Sequence, residues 1–435
     1  MISSFGRKSR TIRPFEGGAL AMDRLLSWFC LFPDQPFIML GGKGSRYCTV
    51  ALSFEPADFD TVWDQQIDMP PQTDDMPCEH SFKTGYVGLL SYDDFSIVKS
   101  SSKSSKCFYV GRSLILDQLS GAAWIAEEAS WQDLACQIEL SYYAVESKGL
   151  HLAEDGSAAL SWKALASDQE YLNMVRAAKK DIYAGRYYQI NLLRYFRSHG
   201  LMPMSYWAQR LQRFSGPFSA WLHFPEWDLI SFSPERFVRF FYDSKTQAVR
   251  LVTEPIKGTS PVFADAKKNQ LSQLSLVASD KNQAELHMIV DLMRNDLRRI
   301  SVAQSVQVTD PGSLHSFTNV HHLIARVESR ARQGLRFREL CECLCPGGSI
   351  TGAPKIEVMQ AIYEYEKRSR SVFMGHVFCW DLTSCYFDSS ILIRTVYRPE
   401  GQNYYDFAAG SGIVIGSSPE DELEEINAKA KVAID

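Results

Sequence analysis

The pattern of apolar and polar positions changes along the chain. Up to about residue 160, short strand-like apolar runs such as "PFIML", "YCTVALSF" and "SLILDQ" alternate with turn-rich pieces such as "DMPPQTDDMPCEH". From Ser167 onward, longer stretches with helical spacing lie between the strand-like runs. We therefore predict a structural or regulatory region over 1–160 and a region that carries the chemistry over 161–435.

The second region contains several helix and strand signals. Ser167 to Glu170 form a capping box before a helical pattern that ends at Gly185, and "YYQINLLRYF" follows as a strand. Further helices are predicted in "SDKNQAELHMIVDLMRNDL", opened by Asp280, in "APKIEVMQAIYEYEK" with Pro354 in its first turn, and in "SSPEDELEEINAKAKVAI" with Ser418 as cap. "SSILIRTVY" and "FAAGSGIVIG" have strand patterns. Since helices and strands come in blocks, we expect an α+β fold with large antiparallel sheets.

Composition and charge disfavour several classes of protein. The 435 residues are 45% apolar, which is enough for a large core in one large or two ordinary domains. A net charge of −5 without a basic stripe disfavours nucleic acid as a partner, and the apolar runs are too short for a membrane span. The first fifteen residues have basic residues but no apolar segment, so we expect a loosely ordered start rather than a signal peptide.

Cysteine spacing gives no metal site. Ten cysteines are scattered, except for Cys341, Cys343 and Cys345 in "LCECLCPGG", and neither paired C-x-x-C knuckles nor a His-x-x-x-His follow. Reduced thiols in a cytoplasmic protein are the expected state.

Two predicted helices carry glutamates close to apolar positions. Glu285 falls on one helical stripe with Met288, Ile289 and Leu292, where a carboxylate needs compensation by water, an arginine or a cation. On the closing helix, Glu422, Glu425 and Lys429 line the edge of the apolar stripe. That edge is typical of a solvated face with a Glu425–Lys429 pair, but two glutamates from two helices also suit Mg²⁺.

Three other features could receive an anion. Arg394 shares a predicted strand face with apolar Leu392 and Val396, where a guanidinium usually has an anionic partner, in the protein or in a ligand. Gly410 and Gly412 allow close approach to backbone amides, although a β-bulge would explain them equally. "PGGSITGAPK" lacks P-loop spacing yet offers Ser349 and a helix N-terminus. Together these features suit a small substrate with more than one carboxylate.

A series of motifs resembles one family. "YYQIN", "SFSPERF", "PIKGT", "AELHMIVDLMRND", "NVHHLIARV", "PGGSITGAPK", "ILIRT" and "AGSGIV…SSPEDELEE" occur in the order found in the chorismate-utilising enzymes. This family includes anthranilate synthase component I, aminodeoxychorismate synthase component I and the isochorismate and salicylate synthases. The resemblance is dense over about 165–434 and thin before it, chiefly in "TGYVGLLSYD". It implies a two-layered antiparallel β-sandwich flanked by helices, like that of anthranilate synthase component I.

The resemblance also implies roles for individual residues. Glu285 and Glu425 resemble the family's Mg²⁺ ligands, with Glu422 supporting them through water, and the metal would hold the ring carboxylate of chorismate. Arg394, Gly410 and Gly412 resemble the site for the enolpyruvyl carboxylate. The general acid and the active-site histidine of the family match Glu235 and His322, and its substrate-contacting hydroxyls match Thr259 and Ser349.

Two positions indicate the reaction. Family members that add water to the ring have a lysine base at the position of Gln189, and a glutamine cannot take a proton, so isochorismate-type chemistry is disfavoured. Lys257 in "PIKGT" stands where anthranilate synthases have alanine, and a lysine here is typical of the aminodeoxychorismate synthases. Desolvation and a nearby Mg²⁺ would both favour the neutral, nucleophilic amine, which would attack C2 of the ring. A surface lysine in a turn is the alternative.

The resemblance implies ammonia as second substrate and a separate glutamine amidotransferase subunit as its source, because the chain has no G-x-C-x-G nucleophile elbow. Two alternatives stay open: anthranilate synthase component I, and a non-catalytic protein that binds chorismate or tryptophan. The tryptophan-binding "LLES" stretch of anthranilate synthases corresponds to "MLGGKG" here, which predicts weak or absent inhibition by tryptophan.

Overall fold

The computed structural model describes residues 10–15, 21–31, 33–67, 81–97, 104–128, 161–317 and 320–434. Within these ranges the chain forms eleven helices and twenty strands. The helices are α1 (Met22–Phe29), α2 (Phe59–Trp63), α3 (Tyr92–Phe95), α4 (Asp168–Tyr183), α5 (Met204–Phe214), α6 (Ala266–Val277), α7 (Asp280–Arg298), α8 (Phe337–Leu344), α9 (Gly348–Thr351), α10 (Lys355–Glu366) and α11 (Pro419–Ile434).

The strands are β1 (Arg10–Pro14), β2 (Phe37–Leu40), β3 (Tyr47–Pro56), β4 (Gly85–Leu90), β5 (Lys106–Asp117), β6 (Ala123–Glu128), β7 (Trp162–Ala164), β8 (Gln189–Ser198), β9 (Ala220–His223), β10 (Asp228–Ser231), β11 (Arg236–Asp243), β12 (Ala248–Thr253), β13 (Ile256–Pro261), β14 (Gln307–Ser316), β15 (Val320–Arg330), β16 (Gly352–Ala353), β17 (His376–Asp381), β18 (Tyr386–Ile391), β19 (Thr395–Arg398) and β20 (Asp406–Ile413).

The strands form two antiparallel sheets. The first sheet runs β1-β6-β5-β3-β2-β9-β10-β19-β20-β8, with β7 and β16 beyond β8. The second runs β4-β17-β18-β11-β12-β15, with β13 and β14 also paired to β15. The long strand β5 pairs with both β3 and β4 and so joins the two sheets. This is the α+β, two-layered antiparallel architecture that the sequence predicts.

Period-two alternation divides the side chains of the first sheet between two cores. Leu222, Leu229 and Ala408 point into the core between the sheets, which also contains Phe240 of β11 and Phe378 of β17. Their neighbours along the strands, among them Trp221, Ile230 and Phe407, point into a second core under α1, α4, α5, α10 and α11. Every central strand of this sheet is therefore covered on both faces.

Several predicted elements are confirmed. Both halves of the Ser167 capping box are formed, α4 ends at Tyr183, and Gly185 follows with a positive φ of 78°. Helix α7 spans the predicted stretch, but Ser279 rather than Asp280 is its cap, since its side chain accepts from the amide of Asn282. Ser418 precedes α11 and accepts from the amide of Asp421.

The structure differs from two of the sequence predictions. "SSILIRTVY" is not one strand, because it breaks between β18 and β19, with Arg394 at φ 51°. The first fifteen residues were expected to be loose, yet Arg10–Pro14 pairs with β6. Strands before residue 160 pair with strands after it, β2 with β9 and β4 with β17, while the functional division at 160 stays a prediction. "DMPPQTDDMPCEH" lies outside the described residues.

No helix among the described residues is long and apolar enough to cross a membrane. The three cysteines of "LCECLCPGG" are buried thiols, as expected.

Candidate functional site

Lys257 lies on β13, opposite Leu323 of β15, directly before a register shift at Gly258. Gly258 has a positive φ of 74°, which favours glycine and lets the strand bulge beside the lysine. The Lys257 side chain is half-buried and, within the described residues, its amine makes no hydrogen bond or ion pair. A β-carbon built on Gly412 would lie 3.7 Å from Nζ of Lys257, so the amine reaches from the second sheet towards the first.

Glu235 lies directly before β11 and faces the same cleft. Its side chain is buried, and burial raises its pKa to about 7, although Lys257, the amide of Ile256 and the Ser349 hydroxyl all act to lower it. Ser349 comes from the short helix α9 and is itself buried. A carboxyl group with this pKa is partly protonated near neutral pH, which suits a general acid.

His322 lies on β15, and its ring is fixed by the bulge of β13. Nδ1 is 3.0 Å from Oγ1 of Thr259 and 3.3 Å from the carbonyl oxygen of Gly258, to which it can only donate. Within the described residues Nε2 is buried without a partner. Burial, and secondarily the positive charge of Arg394, lower the pKa of His322 to about 4, so the imidazole is neutral at neutral pH.

Arg394 is half-buried at the break between β18 and β19. Among the described residues its guanidinium makes no hydrogen bond or ion pair, and burial lowers its pKa while Glu235 acts in the opposite direction. A desolvated guanidinium without a protein partner is a good receptor for a carboxylate of a ligand.

Gly410 and Gly412 lie in a regular stretch of the β20–β8 ladder, so the β-bulge alternative is wrong. Their missing side chains leave space that neighbouring groups enter. A β-carbon on Gly412 would come within 2.8 Å of Nε2 of Gln189, and the Gln189 side chain is fully buried. Gln189, Gly412 and Lys257 therefore meet at one point between the two sheets.

The three predicted metal ligands lie on α7 and α11. Glu422 is buried and its carboxylate is 3.4 Å from Nζ of Lys281, which is 4.0 Å from that of Glu285. Glu425 is half exposed and forms an ion pair with Lys429, whose Nζ also donates to the carbonyl oxygen of Gly410 at 2.8 Å. The glutamates are near enough to act on one another electrostatically.

The pKa values of Glu285 and Glu425 shift in opposite directions. Burial raises the pKa of Glu285, despite the opposing charges of Lys257 and Lys281. Burial acts to raise the pKa of Glu425, but the charge and hydrogen bond of Lys429, together with the charges of Lys281 and Lys257, lower it overall. The pKa of Lys281 is raised, because Glu422 and Glu285 overcome the effect of its burial. The cluster thus requires positive charge, which the two lysines supply.

The donor set fits a magnesium ion chemically. Mg²⁺ is bound by one or two carboxylates together with waters and substrate anions, and Glu285 and Glu425 come from two helices that face one cleft. Within the described ranges no group of three or more His, Cys, Asp or Glu side chains is positioned to hold a metal ion. Glu422 forms an ion pair with Lys281, and its outer role beside the metal stays a prediction.

A cavity of about 330 Å³, which Lys257 does not line, is bordered by residues of β2, β3, β11, β17 and β18. Leu40 and Gly41 of "MLGGKG" contribute to its wall, together with Arg236, Arg239 and Asp388. None of the residues predicted for the chemistry lines it.

Sequence reasoning missed two residues of the cleft. Lys281 contacts both Glu285 and Glu422, and its position four residues before Glu285 on one helix was the available signal. Asn191 lies on the same face of β8 as Gln189, two residues further along, which strand alternation indicates.

The sequence of the chain is similar to those of known proteins. A family model described as chorismate binding enzyme matches residues 49–435. Aminodeoxychorismate synthase component 1 of Escherichia coli (strain K12) is 35% identical over 288 residues, which are 65% of this chain and 60% of the relative. Aminodeoxychorismate synthase, chloroplastic, of Arabidopsis thaliana is 30% identical over 373 residues, 80% of this chain and 40% of the relative.

The fold matches that of a solved protein. Anthranilate synthase component I from Streptococcus pneumoniae TIGR4 superposes with a TM-score of 0.70 at 22% identity, over 99% of this chain and 93% of that one. This similarity establishes the fold. The chain spans about three fifths of the length of the Escherichia coli relative.

Proposed function

Because the chain belongs to the chorismate binding enzyme family, we propose that it is an aminodeoxychorismate synthase component I, which converts chorismate and ammonia to 4-amino-4-deoxychorismate. This product leads to 4-aminobenzoate and folate. Relatives named aminodeoxychorismate synthase from Escherichia coli and Arabidopsis thaliana support the choice within the family.

One observation carries the proposal. Among the described residues the Lys257 amine makes no hydrogen bond or ion pair. It is half-buried, lies on the Gly412 side of the cleft, and acts electrostatically on Glu235, Glu285 and Glu425. A surface lysine would face water instead. An amine between an acid and a carboxylate cluster is placed for covalent catalysis.

The proposed reaction has two displacements. The Lys257 amine, once it has lost its proton, forms a bond to C2 of the ring, the double bond shifts, and the C4 hydroxyl leaves as water with the proton of Glu235. The C2-bound nitrogen then gives up a proton. Ammonia forms a bond to C4, the double bond returns, and the C2–N bond breaks, so that Lys257 departs and regains a proton. The sum is chorismate plus ammonia giving 4-amino-4-deoxychorismate plus water.

Other residues bind and orient the substrate in this proposal. Arg394 and the backbone near Gly410 and Gly412 receive the enolpyruvyl carboxylate, and Thr259 and Ser349 offer hydroxyls. His322, neutral and with a bare Nε2, faces the ring. Glu285 and Glu425 would hold Mg²⁺, with Glu422 behind them, and the ion would neutralise the ring carboxylate.

The proposal includes a partner and a location. A glutamine amidotransferase subunit would supply the ammonia. Residues 161–435 contain all the proposed catalytic and binding residues, so we assign them the chorismate-binding role and assign 1–160 a structural and regulatory-site role. Buried thiols in place of disulfides at Cys341, Cys343 and Cys345 favour a cytoplasmic protein.

Product identity tests this function. The protein is incubated with chorismate, Mg²⁺ and ammonium, with and without an aminodeoxychorismate lyase. We expect 4-aminobenzoate only when the lyase is present. Anthranilate formed without the lyase would instead identify an anthranilate synthase component I, and chorismate binding without turnover would identify a regulatory protein.

A further inference from the structure

One face of β8 presents two buried side-chain amides to the cleft. Gln189 is fully buried and Asn191 is 7% exposed, and both point to the side where β20 has only Gly410 and Gly412. A β-carbon on Gly410 would lie 2.6 Å from Oδ1 of Asn191. The two glycines thus make room for two amides, and not only for a substrate carboxylate.

Three polar atoms of these two amides lack a partner among the residues that the structure describes. Within the described part of the chain, Oδ1 of Asn191 and both Oε1 and Nε2 of Gln189 are buried without a hydrogen bond. Buried polar atoms are nearly always satisfied, so unpaired ones that face a cleft indicate a ligand. The nearby Lys257 amine places this pair of amides beside the reacting centre.

The chemistry of the amides selects the ligand. The two carbonyl oxygens can only accept hydrogen bonds and would repel an ionised carboxylate, although Nε2 of Gln189 could donate to one. Ammonia has three N–H donors and one lone pair, and that lone pair must stay free for the attack. Acceptors therefore hold ammonia in a reactive orientation, whereas donors would block it. Water would also fit, but an amide cannot take the proton that water must lose.

From this arrangement we infer that Asn191 binds the attacking ammonia, with Oδ1 of Asn191 and Oε1 of Gln189 each accepting one of its N–H groups. Asn191 neither gains nor loses a proton in this role. The inference rests on the amination reaction proposed above, but it does not depend on which ring carbon is aminated.

The test compares steady-state kinetics with ammonium as the nitrogen source. Asn191→Leu keeps the side-chain volume and removes the acceptor, and we expect KM for ammonium to rise about tenfold, as for the loss of one hydrogen bond. KM for chorismate should stay within about twofold. Asn191→Asp retains an acceptor oxygen and should restore KM for ammonium, whatever its effect on kcat. Asn403→Leu, in an exposed turn, is the matched control.

Each contrary outcome is distinct. An unchanged KM for ammonium with a raised KM for chorismate would place Asn191 against the ring substrate and overturn the inference. A lower kcat with both KM values unchanged would make it structural, and would also overturn it. If Asn191→Leu does not fold, Asn191→Ala, which also lacks a side-chain acceptor, gives the same reading. Formation of anthranilate by the wild-type protein would refute the proposed function, yet the ammonium measurement would still decide the role of Asn191.

Discussion

Replacing Glu235 by glutamine measures how much the buried carboxylate destabilises the folded protein, and separately whether it is needed for activity. The substitution keeps the shape of the side chain and an oxygen that can accept from Ser349 and from the Ile256 amide. In the folded protein the pKa of Glu235 is about 7, against 4.5 for the unperturbed group. A raised pKa means that the folded state holds the proton more tightly than the unfolded state does.

The sign and size of the effect follow from linkage. The stability associated with the protonated Glu235 is fully present below pH 4.5 and is lost as the pH rises through 7. A difference of about 2.5 pKa units corresponds to about 3 kcal/mol. We therefore expect Glu235→Gln to be more stable than wild type by about 1 kcal/mol at pH 5, about 2 at pH 6 and about 3 at pH 7 and above.

Urea unfolding at these pH values, without chorismate or Mg²⁺, measures the difference in the free energy of unfolding. Glu424→Gln, an exposed carboxylate on α11, should give a curve parallel to that of wild type. If the difference in the free energy of unfolding between Glu235→Gln and wild type did not grow with pH, the raised pKa of Glu235 would be refuted. Activity should be lost in the same variant, because glutamine cannot protonate the leaving hydroxyl.

Three further predictions concern the cleft. Gly412→Ala, whose β-carbon would lie 2.8 Å from Nε2 of Gln189, should raise KM for chorismate about tenfold, and an unchanged KM would show that this space is not used. As the pH falls from 6.5 to 4, the free energy of unfolding should decrease less in His322→Gln than in wild type, because wild-type His322 stays neutral in the folded state but takes up a proton in the unfolded state. An equal decrease for both proteins in urea unfolding would contradict the lowered pKa of His322. Glu285→Gln should raise the Mg²⁺ concentration for half-maximal activity by at least about tenfold, since even outer partners of a metal change its affinity that much, and an unchanged Mg²⁺ titration would exclude Glu285 as a ligand.

Local sequence signals predicted much of the fold, because they act within one helix or strand. The Ser167 capping box and the start of α11 after Ser418 depend on residues three or four apart, and both are present. The strand at Arg10–Pro14 was missed, since it forms only by pairing with β6, more than a hundred residues away. Strand alternation also gave no sign of the break at Arg394, where the backbone takes a positive φ.

Sequence motifs identified the residues of the candidate site, but not the burial or the partners of each side chain. Family motifs brought Lys257, Glu235 and Glu285 into one hypothesis, and the structure places Lys257 within electrostatic reach of both glutamates. Helical spacing put Glu422 on a solvated edge, but it is 2% exposed, because α11 packs against β20 and α4. Its ion pair with Lys281 joins two separate helices, which no periodicity within either helix can show.

The covalent step is the central claim, and intact-protein mass spectrometry tests it most directly. The wild-type protein is mixed with chorismate and Mg²⁺ in the absence of ammonia and quenched, with Lys257→Ala as the control. We predict a mass increase equal to chorismate minus water, located on Lys257 by peptide mapping, removed on adding ammonium and absent from the variant. No adduct in the wild-type protein under conditions where ammonium supports turnover, or an equal adduct in Lys257→Ala, would contradict the account.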